Sequence, residues 1–170
     1  MKFLARMALL SVIAFATQAV AAGPSIEKGS TVELEYTLSL RPSGEVVQSN
    51  VGDAPIAYVH GQGMLLPALE NALAGREAEE QFELSLEAAD AYGPVNGELF
   101  REYPLEQLPE EAREVGVLLS SPEYPGSIRV SEVRDDVVVL DFNHPLAGQD
   151  LDFKVRVISV VAAAPVEAPE

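Results

Sequence analysis

Cysteine is absent from the 170 residues, so no disulfide braces the chain and no thiolate acts as a nucleophile or a metal ligand. Stability has to come from packing. Histidine occurs only at His60 and His144. Neither stands in a nucleophile-elbow context, which argues against a hydrolase triad, and two isolated imidazoles do not make a zinc site. Runs such as Glu110-Glu111 read as solvated faces rather than metal ligands. Basic residues are scarce too, with 11 Lys and Arg against 27 Asp and Glu and a formal charge of −16. A surface of that sign repels phosphates and anionic headgroups, so no nucleic acid partner and no stable membrane insertion are expected.

Long apolar runs are limited to residues 7–16, MALLSVIAFA. This segment is too short to span a bilayer comfortably, follows the positive Lys2 and Arg6, and precedes the A-x-A site Ala19-Val20-Ala21. Residues 1–22 are therefore expected to be a secretory signal peptide, leaving a soluble mature chain. Removing residues 1–21 takes away two basic residues and no acid, which moves the charge from −16 to −18.

Beyond the leader, TVELEYTLSL (residues 31–40) alternates, with Val32, Leu34, Tyr36, Leu38 and Leu40 on one face. That pattern predicts a strand with one wet face. Arg41-Pro-Ser-Gly44 has turn chemistry, and residues 45–49 return as a partner strand. Leu65, Leu66, Leu69, Ala72 and Leu73 form one helical stripe, with Pro67 suited to the first turn and Gly75 to the position after the last, predicting a helix of about ten residues on a sheet. Residues 81–87 alternate again with Phe82, Leu84 and Leu86 inward, residues 90–94 turn, and residues 151–161 read as a central strand.

Between residues 95 and 142 the texture changes. Pro104, Pro109, Pro122 and Pro125 interrupt it, residues 106–114 suit one or two acidic helical turns, and residues 128–133 and 137–142 form a hairpin around Arg134-Asp135-Asp136. This stretch is expected to be an inserted subdomain, and residues 163–170 a disordered tail. The order strand, strand, helix, strand, insert, strand is an α+β pattern.

Gly61-Gln-Gly63 ahead of the helix lacks the third glycine, the Lys-Ser/Thr pair and the βαβ frame of a phosphate loop. The glycines instead permit a tight turn into the helix. What the residues offer is an apolar hollow with contributions from Tyr36, Ile56, Tyr58, Leu65, Leu66, Leu69, Phe82, Tyr92 and Phe153, each of which also suits an ordinary core.

The run AYVHGQGMLLPALENALAGREAEEQFELSLEAADAYG (residues 57–93), an insertion, and then VVVLDFNHPLAGQDLDFKVRVISV (residues 137–160) strongly resemble the SlyD-like branch of the FKBP-type peptidyl-prolyl isomerases. The resemblance covers most of residues 29–162. It implies an antiparallel sheet wrapped around one short helix (residues 23–94 and 143–162), a proline-binding pocket between them, and a small, mostly β flap subdomain (95–142) that holds unfolded chains. It further implies Tyr36, Tyr92 and Phe153 as catalytic residues. Val47, Gln48, Ile56, Tyr58, Leu65, Leu66 and Leu69 would bind substrate, with Leu146 near the rim.

Three departures stand out. Gln48 aligns where the family usually carries an aspartate, the tail APVEAPE lacks the His- and Cys-rich metal-binding segment of some relatives, and the leader points to the periplasm. No cofactor or metal is implied. The expected clients are unfolded or partly folded proteins containing Xaa-Pro bonds, met by a monomer. Gln48 leaves an alternative open, a non-catalytic chaperone or partner-binding module on the same fold. In the insert, Leu99, Phe100, Tyr103, Leu105, Val117, Leu118 and Leu119 are candidates for the holding surface, about half of them expected to form the subdomain's own core.

Overall fold

A computed structural model describes residues 23–163. The predicted leader (1–22) and most of the predicted tail lie outside the described residues. The first sheet contains β1 (Thr31–Arg41), β2 (Val46–Ser49), β3 (Ile56–Val59), β4 (Gln81–Leu86) and β9 (Asp150–Val161), all paired antiparallel. The long β9 lies between β1 and β4. Its central position agrees with the sequence pattern, yet it is not apolar on both faces. Leu151, Phe153, Val155 and Val157 are buried, while Lys154 and Arg156 point outward. A register shift opposite Glu33 and Leu34 changes the inward parity, so that Val160 is buried beyond it.

The outer edge of β1 is shared. Residues 31–34 pair with β3 and residues 37–39 with β2. Between them the side chain of Asn50 continues the ladder: Tyr36 N–H donates to Asn50 Oδ1 at 2.7 Å, and Asn50 Nδ2 donates to the Leu34 carbonyl at 3.1 Å. The short β3 was not foreseen as a strand.

The helix α1 spans Pro67–Leu73 and is shorter than its apolar stripe suggested. Leu66 precedes a proline, whose ring disfavours the α region for it, and it sits at φ −54°, ψ 135°. Leu65 and Leu66 therefore belong to the entering turn. At the other end Gly75 takes φ 77°, the left-handed conformation that closes a helix. Leu69 and Leu73 are buried against Leu34, Leu38, Leu151 and Phe153, each contributing about 1.5–3 kcal/mol of burial. Ile26 is fixed beneath the helix exit by two backbone bonds, its N–H to Arg76 O and its carbonyl accepting from Gly75 N.

A second antiparallel sheet follows, made of β5 (Phe100–Pro104), β6 (Leu118–Ser121), β7 (Tyr124–Val133) and β8 (Val137–Asp141) in the order β5-β8-β7-β6. The β7–β8 hairpin lies where the sequence placed it, and the acidic stretch forms two 3-10 turns, Leu105–Gln107 and Glu110–Ala112. Strands β5 and β6 flank it. Ile128, Val130, Val138, Leu140 and Phe142 form a core of their own, and Leu99, Tyr103, Leu105, Val117 and Leu119 pack against it. Leu118 stays exposed.

Candidate active site

Between the concave side of the first sheet and the start of α1 lies an open hollow of about 340 Å³. Strand alternation on β1 directs Leu34, Tyr36 and Leu38 into it. Pairing in register then adds three more side chains: Ile56 lies opposite Leu34, while Gln48 and Phe153 lie opposite Leu38 on either side. The turn into the helix supplies Met64, Leu65 and Leu66, the helix supplies Pro67 and Leu69, and Tyr92 closes the rim from the loop after β4. No lining residue is charged.

Three expected site residues lie elsewhere. Val47 is the unpaired extra residue where the β1–β2 register shifts, between Gln48 opposite Leu38 and Val46 opposite Ser39, and it is exposed and outside the lining. Tyr58 shares the inward face of β3 with Ile56 but sits too deep, only 3% exposed, with its hydroxyl 3.2 Å from His60 Nδ1. Leu146 packs against the main core without lining the hollow. Phe82 also stays outside, partly buried with the Arg76 guanidinium 3.8 Å above its ring. Leu34, Leu38, Met64 and Pro67 were not anticipated. For the two leucines a signal existed, since they share the parity of Tyr36.

The glycines before the helix serve the turn. Gly61 and Gly63 adopt φ 84° and 67°, and the Gly61 N–H donates to Glu70 Oε1 at 2.7 Å. An amide already held by a carboxylate on α1 does not cradle phosphate, so Glu70 ties the floor's turn to the helix that follows it.

Burial raises the Tyr36 hydroxyl above its ordinary value, and neighbouring Tyr92 adds to the effect. Tyr58 is pushed up to about 12, first by burial and then by the Glu70 charge. Near neutral pH both phenols are therefore neutral donors. The ring of Tyr92 lies face to face with that of His144, centroids 3.8 Å apart and planes 4° from parallel. Among the described residues, no group of three or more His, Asp or Glu side chains is gathered in a way that holds a metal ion. Chemically, the site can enclose a small apolar ring and present neutral hydrogen-bond donors to an adjoining amide.

A sequence model of the FKBP-type peptidyl-prolyl cis-trans isomerase family matches residues 23–116. The FKBP-type peptidyl-prolyl cis-trans isomerase SlyD of Vibrio cholerae is 38% identical over 141 residues, which cover 81% of this chain and 70% of that protein. The protein of the same name from Escherichia coli is 34% identical over 138 residues, 79% and 70% of the two chains. That of Treponema pallidum is 36% identical over 132 residues, 76% and 74%. With an uncharged hollow between sheet and helix and relatives of this closeness over most of its length, the chain belongs to the SlyD-like FKBP-type peptidyl-prolyl cis-trans isomerases.

Proposed function

We propose that the hollow between β1, β9 and α1 is where this isomerase binds Xaa-Pro segments of folding proteins and turns the prolyl bond. The observation that carries the reading is the absence of charged side chains among the lining residues, combined with the phenols of Tyr36 and Tyr92 and the Gln48 amide. Rotation about an Xaa-Pro bond meets a barrier of about 18–20 kcal/mol and takes tens to hundreds of seconds unaided, on the order of the slowest folding steps. The barrier is lost amide resonance, so neither a proton transfer nor a covalent intermediate is needed.

A site accelerates the rotation by binding the twisted amide better than either planar form. Leu66, Leu69 and Phe153 exclude water from the prolyl ring, and the twisted carbonyl, less solvated than a planar one, loses less on entry. A thousandfold acceleration asks for about 4 kcal/mol of such preference. Hydrogen bonds of about 1 kcal/mol each from two phenols and an amide supply most of it, and the dry walls supply the rest. Gln48 in place of a carboxylate leaves one neutral contact where a charged one would be stronger, which favours a slower enzyme over an inactive one.

Residues 95–142 act as an inserted unit that holds unfolded chains. Supporting this reading, Val115 and Leu118 within the insert are large apolar side chains exposed to 66% and 59%. The chain works as a monomer without nucleic acid, and residues 1–22 direct it to the periplasm, a reading supported by the A-x-A site. Catalysed refolding of a protein limited by proline isomerisation tests the division of labour. Val115→Glu with Leu118→Glu slows the protein substrate and leaves a short peptide untouched, whereas equal loss on both contradicts it. An N-terminus beginning near Ala22 on protein from the periplasmic fraction tests the export.

A further inference from the structure

His144 has no place in the pocket lining, yet it lies against one of its walls. Its imidazole is stacked on the Tyr92 ring at 3.8 Å and 4°, a separation close to van der Waals contact over the whole face. The loop that carries it is pinned to the loop that carries Tyr92 on both sides. Gly148 N–H donates to the Gly93 carbonyl at 2.8 Å, and the approach there is close enough that a Cβ on Gly148 would meet Val95 Cγ2 at 2.9 Å. On the other side the buried Asn143 amide grips both backbone groups of Asn96, accepting from its N–H at 2.8 Å and donating to its carbonyl at 3.1 Å.

The ring itself is held as well. Leu146 N–H donates to His144 Nδ1 at 3.1 Å, which requires a lone pair on Nδ1 and therefore a neutral imidazole with its proton on Nε2. Partial burial acts in the same direction, lowering the histidine below its ordinary value. A neutral, oriented ring packs flat on a phenol without a desolvated charge.

We propose that His144 is a positioning residue for the isomerase reaction: its stacked imidazole holds the Tyr92 ring against the hollow, so that the phenol meets the twisted amide without first being ordered. An unstacked Tyr92 at the rim would lose rotamer freedom on each binding event, a cost the stack removes in advance. The inference rests on the isomerase reading of the hollow.

Two substitutions separate this role from a merely structural one. His144→Phe keeps a flat ring and removes the Nδ1 acceptor, whereas His144→Asn keeps a side-chain acceptor for Leu146 N–H and removes the ring. With the full protein on a short Xaa-Pro peptide, H144N is expected to lower kcat/KM about three- to tenfold, and H144F to stay within about twofold of wild type. Tyr92 ring protons should be shifted upfield in the wild type and in H144F and return toward ordinary values in H144N. The opposite ranking, or equal effects of the two variants, overturns the proposal. Where a variant fails to fold, the wild-type spectrum decides: Tyr92 protons without an upfield shift overturn it. A wild type with the spectral signature and no turnover would refute the isomerase reading while leaving the stack in place.

Discussion

Asn50 stands in for a strand residue beside Tyr36. Its side-chain oxygen accepts the Tyr36 N–H at 2.7 Å, its side-chain nitrogen donates to Leu34 O at 3.1 Å, and its own N–H donates to Tyr36 O at 3.2 Å. The gap between β2 and β3 on the edge of β1 is thereby closed where β1 faces the hollow. Asn50→Ala leaves a part-buried donor and acceptor unpaired and should cost about 1–3 kcal/mol in urea unfolding. Asn50→Asp keeps the acceptor for Tyr36 but sets a carboxylate oxygen against the Leu34 and Ala54 carbonyls, so it should not restore the lost stability. Equal stability of Asn50→Ala and wild type would show that water replaces the amide freely.

Gln48 lies opposite Leu38 and lines the mouth of the hollow. Restoring the family's usual carboxylate with Gln48→Asp should strengthen the hydrogen bonding there by about 1 kcal/mol, since charge-assisted bonds are roughly twice as strong as neutral ones. The expected gain in kcat/KM on a short peptide is about fivefold. An unchanged rate would mean that this position takes no part in catalysis.

Tyr58 predicts how stability responds to alkali. Its folded-state value of about 12 lies above the ordinary value near 10 of an unfolded tyrosine. The unfolded chain therefore loses this proton first as pH rises. The contribution is fully present below pH 10 and is lost between about pH 10 and 12, a change on the order of 2 kcal/mol. Tyr58→Phe should flatten that part of the stability profile relative to wild type, and parallel profiles for the two proteins would refute the assignment.

Glu70 and Gly61 join the floor's turn to α1 through one 2.7 Å hydrogen bond. Glu70→Ala should cost about 1 kcal/mol and raise KM for a short peptide by loosening Met64 and Leu65. Gly61→Ala is expected to be more damaging, because φ is +84° and the added Cβ would meet Lys28 Cγ at 2.9 Å, with about 1–2 kcal/mol from the left-handed conformation alone. Gly63→Ala meets no neighbour and should carry only the conformational cost. Thermal melts should show the largest loss for Gly61→Ala and smaller losses for Gly63→Ala and Glu70→Ala; a Gly61→Ala melt no lower than that of Gly63→Ala would contradict this.

The features legible in the sequence were those with a regular period. The alternation of residues 31–40 placed β1 and its inward face, and the leucine stripe ending at Gly75 placed the helix. Local chemistry adjusted what lies beside them: the proline after Leu66 shortened the helix, and a register shift left Val47 unpaired on β2 and outside the lining. Strands β3, β5 and β6 have only four or five residues, too few for a period to stand out. Tyr58 shows a further limit, since an inward face does not reveal depth along the strand. The Tyr92–His144 stack joins residues 52 positions apart, and nothing in the spacing of either announces the other.

The central claim is that the uncharged hollow rimmed by Tyr92 is the isomerase site. Its most direct test is kcat/KM on a short Xaa-Pro peptide for the wild type and for Tyr92→Ala, with the fold of each checked by circular dichroism. Clear acceleration by the wild type, reduced about tenfold or more in the variant, is the expected result. Acceleration that survives the substitution in full would contradict the claim and move the chemistry elsewhere on the molecule.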